Sequence, residues 1–227
     1  MYAGRLRIAL GGSHWFVERS FNNIVVFGES NEGITWLDHL RRRMRHNPPR
    51  LYNFAAPAAT AQDDLSDQLM SFSSKLSSKN NSEKRLALDP DETVYIVFIG
   101  INDCGTTERD ELEPVIQDIF DSALHDLYVR AGARNFIIFD VPPVDRSPQA
   151  LESESSDLIE DRVETWNETL QTQTTEFGLS SKEATVFLFS AHQVLTDVLD
   201  DPLEYEFSEG DPADEGGGIW VDELHLT

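Results

Sequence analysis

From Val94 through Tyr95, Ile96, Val97 and Phe98 to Ile99 the chain runs without a polar break, and Gly100-Ile101-Asn102-Asp103 stops it. The run is too short for a core helix and too uniformly apolar for a strand with one wet face. It reads as a strand buried on both sides, which requires a sheet covered on both faces. Residues 24–27, closed by Gly28, residues 135–141, closed by Pro142-Pro143, and residues 185–189 share this character. An extended piece over residues 51–54 makes a fifth strand.

The intervening segments carry helical spacing. In residues 34–45, Ile34, Leu37, Leu40 and Met44 share one side and Arg41, Arg42, Arg43 and Arg45 the other, before Asn47-Pro48-Pro49 ends the helix. Residues 62–76, 111–131 (ended by Gly132), 158–177 (ended by Gly178) and 191–199 also read as helices, with a polar connection over 73–83. Strands alternating with helices at this spacing predict an α/β fold, a three-layer α/β/α sandwich around a five-stranded parallel sheet. A chain of 227 residues, 40% hydrophobic, fits one core. The expected organisation is a single domain over 1–227, with an extension at 1–22 preceding the main body at 23–227.

With 41 acidic against 18 basic residues the formal charge is -23, which repels phosphate backbones and anionic lipid. Neither nucleic acid nor a membrane is an expected partner, and no run approaches the length of a membrane span. Cys104 is the only cysteine, which excludes an internal disulfide framework. No His, Cys, Asp or Glu cluster suggests a metal, and no cofactor is expected. Asn80-Asn81-Ser82 and Asn167-Glu168-Thr169 fit the glycosylation sequon.

Ser30 follows Gly28 at the carboxyl end of a buried strand, the edge where ligands gather in open α/β sheets. A lone serine there is more often a helix cap. The small residues 55–60 and Asn102 follow two further strands. Near the far end, Asp222 precedes His225 by three residues, which lets a carboxylate reach the imidazole Nδ1 while Nε2 points elsewhere. On its own such a pair is commonly an exposed surface contact. Joined to Ser30, it supplies a base and its orienting acid for a nucleophile.

Four separated segments, Phe27-Gly28-Glu29-Ser30, residues 53–60, Gly100-Ile101-Asn102-Asp103 and Asp222-Glu223-Leu224-His225, resemble in order the four sequence blocks of GDSL (SGNH) hydrolases. Residues 135–136, 141–148, 166–167 and 220–227 extend the likeness to secreted fungal acetylesterases of carbohydrate esterase family sixteen. The resemblance implies a flavodoxin-like sheet and a serine esterase using Ser30, His225 and Asp222. It also implies an oxyanion hole from the Ser30 N–H, the Ala58 N–H and the Asn102 carboxamide. The implied substrates are small acyl esters, chiefly acetyl, of sugars or oligosaccharides.

Two positions depart from the family pattern. Glu29 stands where Asp is usual, and its carboxylate is expected to be structural. Ala58 stands where Gly is usual, so a positive φ there costs roughly 1 kcal/mol. Asp103 is expected to anchor its loop. Trp220 is expected either to stack on a substrate ring or to pack the final loop. His39, His46, His125 and His192 suit surface or core roles, and His14 is unplaced. A lipase or phospholipase type remains an alternative, requiring an apolar surface or lid. So does a catalytically impaired relative that binds carbohydrate, suggested by Glu29, Ala58 and the abrupt chain ends. The likeness points to an extracellular protein, yet the first nineteen residues carry only Ile8 to Leu10 as an apolar core, too short for a signal peptide. Thr227 lies two residues beyond His225, and a shortened chain would account for both ends.

Overall fold

A computed structural model describes residues 6–10, 21–30, 36–44, 48–77 and 88–226. Its strands β1 (Leu6–Leu10), β2 (Asn23–Gly28), β3 (Arg50–Asn53), β4 (Thr93–Phe98), β5 (Asn135–Phe139) and β6 (Thr185–Phe189) form one sheet in the order β1-β6-β5-β4-β2-β3. From β2 to β6 every pairing is parallel, as the apolar runs require. Every residue of β2 is buried. Strand β1 is an addition to the five expected strands and pairs antiparallel along β6.

Among the parallel strands the order is β3-β2-β4-β5-β6, the flavodoxin-like winding, which changes direction between β2 and β4. Ligands gather beyond the carboxyl ends of the two strands flanking such a switch point. Ser30 follows β2 and Asn102 follows β4, so the topology alone brings them to one crevice.

The helices are α1 (Trp36–Arg43), α2 (Leu65–Ser77), α3 (Ile101–Thr106), α4 (Arg109–Asp118), α5 (His125–Arg130), α6 (Pro148–Glu152), α7 (Ser156–Ser180) and α8 (Ala191–Asp200). A π-helical turn at Ile119–Leu124 joins α4 to α5, giving the long helix expected over 111–131, which ends at Gly132 with φ +72°. One sheet face buries Val25, Phe27, Tyr95 and Val97 with Leu112 and Trp166. The other buries Ile24, Val26, Val94 and Ile96 beneath Leu37 of α1. The ends of the first expected helix (Ile34, Arg45, Asn47), His14, His46 and the Asn80 sequon lie outside the described residues. Of the expected connection over 73–83, residues 73–77 belong to α2 and the rest lies outside them. Among the described residues no helix is long and apolar enough to cross a membrane.

Gly178 does not end its helix, because α7 continues to Ser180. A Cβ at Gly178 would lie 2.4 Å from Leu10 Cδ1, so this glycine admits β1 rather than stopping α7.

Two helix amides clamp strand ends where backbone groups leave the ladder and need partners. Gln68 of α2 accepts from the Gly28 N–H at 2.7 Å and donates to the Gly28 carbonyl at 2.9 Å. Asn167 of α7 does the same to Val141, at 2.8 and 2.9 Å. Because Asn167 is buried with its amide engaged, that sequon offers no acceptor for a glycan in the folded protein.

Candidate active site

The site begins with the turn after β2. Gly28 has φ +116°, and a Cβ there would lie 1.9 Å from the Phe98 carbonyl oxygen. Glycine alone permits that approach, after which the Glu29 N–H donates to Phe98 O at 2.8 Å and the Ser30 N–H to Ala56 O at 3.1 Å. These bonds suspend Ser30, half-buried, between the ends of β3 and β4.

The segment after β3 approaches from one side. Asp103, fully buried, accepts the Ala61 N–H with both carboxylate oxygens at 3.0 Å, the anchoring role expected of it. Burial pushes its pKa up, while the Ala61 and Gln62 N–H groups pull it down. Asn102 Nδ2 donates to Ala59 O at 3.1 Å. Among the described residues nothing accepts from the Ala58 N–H.

Ala58 has φ +54°, the left-handed backbone whose cost was foreseen for a residue with a Cβ. Ala58→Gly is therefore expected to raise the unfolding free energy by about 1 kcal/mol, read as a rise of about 2–4 °C in Tm. A fall in Tm would contradict the strain.

The last element is the tight loop of residues 221–225, closed by a 2.7 Å bond from the Val221 N–H to His225 O. Asp222 Oδ1 accepts the Leu224 and His225 N–H groups at 2.9 and 2.7 Å, and Asp222 Oδ2 lies 2.8 Å from His225 Nδ1. Partial burial favours the neutral acid, but these backbone donors and the imidazole outweigh it and hold the Asp222 carboxyl below its ordinary range. The bond at Nδ1 directs Nε2 away from Asp222. Beneath the loop, the Gln149 N–H of α6 donates to Glu223 O at 2.9 Å.

Trp220 has no exposed surface: it packs with Leu195, Leu199 and Ile219, and its Nε1–H donates to Pro212 O at 3.0 Å. A ring buried on both faces has none to offer a sugar, so of its two expected roles the packing one is observed. Arg146, which follows β5, pairs with Asp200 at 2.7 Å rather than with its neighbour Asp145.

Ser30 and His225 line one cavity of about 320 Å³. His39, His125 and His192 are not among its walls. Asn102 instead lines an adjoining groove of about 360 Å³ with Thr106, Ser147, Gln149, Ser153 and Ser155, and Leu224 belongs to both spaces. Among the described residues no three His, Cys, Asp or Glu side chains are grouped to hold a metal ion.

Glu29 also enters the cavity, 5% exposed, with Oε1 3.9 Å from His225 Nε2. Burial pushes its pKa from 4.5 up to about 6, against opposing pulls from Asn102 and His225 and with some support from Asp103. Asn102 acts here through proximity, since neither Glu29 oxygen has a hydrogen-bond partner. A carboxyl with a higher pKa folded than unfolded weakens the fold once ionised; the penalty is absent below pH 4.5 and complete above about 6. Glu29→Gln removes that penalty. Its stability relative to wild type is expected to improve by about 2 kcal/mol between about pH 4 and about pH 8, measured by urea unfolding. An effect independent of pH would contradict it.

Gln68 and Asn167 are the positioning residues that sequence reasoning missed. The available signal was a Gln on the buried stripe of α2, between Leu65 and Phe72.

Residues 20–227 match the family model described as GDSL-like Lipase/Acylhydrolase. A relative described as an acetylesterase, from Thermothelomyces thermophilus, is 24% identical over 85% of this chain and 69% of its own length. Among solved structures, a member of the lipolytic protein G-D-S-L family from Veillonella parvula superposes with a TM-score of 0.56 at 13% identity, covering 90% of this chain and 89% of that one. An α/β hydrolase enzyme from the metagenome of Lake Arreo, Spain, gives 0.54 at 14% identity over 92% and 88%. At such identities these structures speak for the fold.

Proposed function

Because the chain belongs to the GDSL-like lipase/acylhydrolase family, and so to the carboxylic ester hydrolases, we propose that Ser30, His225 and Asp222 form a catalytic triad that removes small acyl groups from carbohydrates. The observation that most supports this is the 2.8 Å contact of Asp222 with His225 Nδ1, on a ring that shares its cavity with Ser30.

In this reading His225 Nε2 takes the Ser30 proton as Oγ attacks the ester carbonyl, while Asp222 holds the ring and stabilises its cationic form. The tetrahedral oxygen needs donors aimed where its charge develops, each worth about 3 kcal/mol. Ser30 N–H and Asn102 Nδ2 already donate to Ala56 O and Ala59 O. The second Asn102 hydrogen has the Glu29 carboxylate as a nearby competitor, whereas the Ala58 N–H is uncommitted among the described residues, so Ala58 is the donor available without rearrangement. The imidazolium then protonates the departing alcohol. Water activated by His225 cleaves the acyl-enzyme and releases the acid.

The acetylesterase relative supports acetyl as an acyl group. The groove that sets Asn102, Thr106, Ser153 and Ser155 among Ile101, Val144, Ile159 and Leu224 supports an alcohol with both polar and apolar faces, as a sugar ring has. The test is turnover of 4-nitrophenyl acetate together with acetate release from an acetylated xylo-oligosaccharide. Turnover of both is expected. Glycan binding with neither ester hydrolysed would instead favour an impaired carbohydrate-binding protein.

A further inference from the structure

We propose that the cavity beside Ser30 is an acyl-chain pocket favouring esters of medium-chain acids, about six to eight carbons, over acetate. This rests on the serine-esterase reading, keeps acetyl among its acyl groups, and adds that longer chains react faster. The floor of the pocket is a ladder of rings. Phe98, Phe139 and Phe189 stand opposite one another in register on β4, β5 and β6, with centroids 5.3 and 4.9 Å apart. Trp36 of α1 tilts over Phe139 at 5.4 Å.

Inner strands of such a sheet ordinarily lose both faces to helices. Here all four rings are only partly buried, and they border the cavity. Val194 and Val198 of α8 add an aliphatic wall, and the ionisable groups among the described lining are Glu29 and His225 alone. On a chain of charge -23, an apolar space of about 320 Å³ at the nucleophile calls for an apolar occupant. An acetyl methyl, roughly the ~30 Å³ of one water, leaves most of that space unfilled.

The acyl chain is the better occupant than the alcohol because it stays attached to Ser30 through both half-reactions. The alcohol must take a proton from His225 and leave. The groove across Leu224 mixes Asn102, Thr106, Ser153 and Ser155 with Ile101, Val144 and Ile159; it is the more polar of the two spaces and gives the alcohol its path.

The test is kcat/KM for 4-nitrophenyl acetate, butyrate, hexanoate and octanoate. Each buried methylene is worth about fourfold, so a hexanoate-to-acetate ratio above about ten is expected, and a lower ratio overturns the assignment. A chain-length gain from ethyl to octyl acetate, with none in the acyl series, also overturns it by putting the chain on the leaving group. Val194→Trp, which fills the pocket, is expected to cut the hexanoate-to-acetate ratio at least about fivefold; Val198→Trp serves if the first variant does not fold. An unchanged ratio in a folded variant counts against the pocket. Acetate turnover with no chain-length gain contradicts the pocket alone, whereas no turnover of any ester sinks the esterase reading and the pocket together.

Discussion

Ser30→Ala is expected to lower kcat/KM for 4-nitrophenyl acetate by at least about a thousandfold, with stability within about 1 kcal/mol of wild type. The two readouts separate for a structural reason. Ser30 is held by its backbone, through its N–H to Ala56 O and the preceding Glu29 N–H to Phe98 O, and alanine keeps both bonds. What it loses is the oxygen that would attack the ester, which no neighbour replaces. Donors at Ala58 and Asn102 would still polarise a bound carbonyl, so a small residual rate above water is compatible with the assignment. Activity within tenfold of wild type would remove Ser30 from its role.

Gly28→Ala is expected to be the most damaging alanine substitution among the described glycines, costing about 4 kcal/mol or more. The added methyl would lie 1.9 Å from the Phe98 oxygen and 2.6 Å from its carbonyl carbon, on a backbone with φ +116°. The obstacle is main chain of β4, so relief must come from separating β2 and β4 at their carboxyl ends. That separation would break the bond from Glu29 N–H to Phe98 O and displace Gly28 from the Gln68 clamp, moving Ser30 as it goes. Urea unfolding measures the loss. A variant within about 1 kcal/mol of wild type would mean the turn is far softer than its contacts indicate.

The parallel strands were legible because burial on both faces writes itself as an unbroken apolar run, and Gly28 was legible because it interrupts one. Strand β1 was not, since a five-residue edge strand leaves little periodic signal. Its omission also explains the misreading of Gly178: a glycine that admits a neighbour looks like a helix stop when the neighbour is unknown. The Asp222 and His225 pair was legible because both members lie within one turn of chain. Ala58 was legible as a condition, that a Cβ would be strained if φ were positive, and the backbone meets it.

The two clamps were hidden for the opposite reason. Gln68 and Asn167 each satisfy a backbone group 40 and 26 residues away, and an amide on a helix looks the same in sequence whether it faces water or a strand end. Trp220 shows the same limit: its nearness to the final loop was readable, but which side of that loop it packs on depends on Leu195 and Leu199 of α8. The aromatic floor needed the register as well. Phe98, Phe139 and Phe189 are ordinary strand ends until pairing aligns them.

Treatment with diisopropyl fluorophosphate followed by peptide mapping examines the nucleophile most directly. Reagent should attach to the Ser30 hydroxyl in step with loss of ester hydrolysis, and His225→Ala should abolish the labelling. An adduct on another side chain, or complete inactivation with Ser30 unmodified, would contradict the assignment.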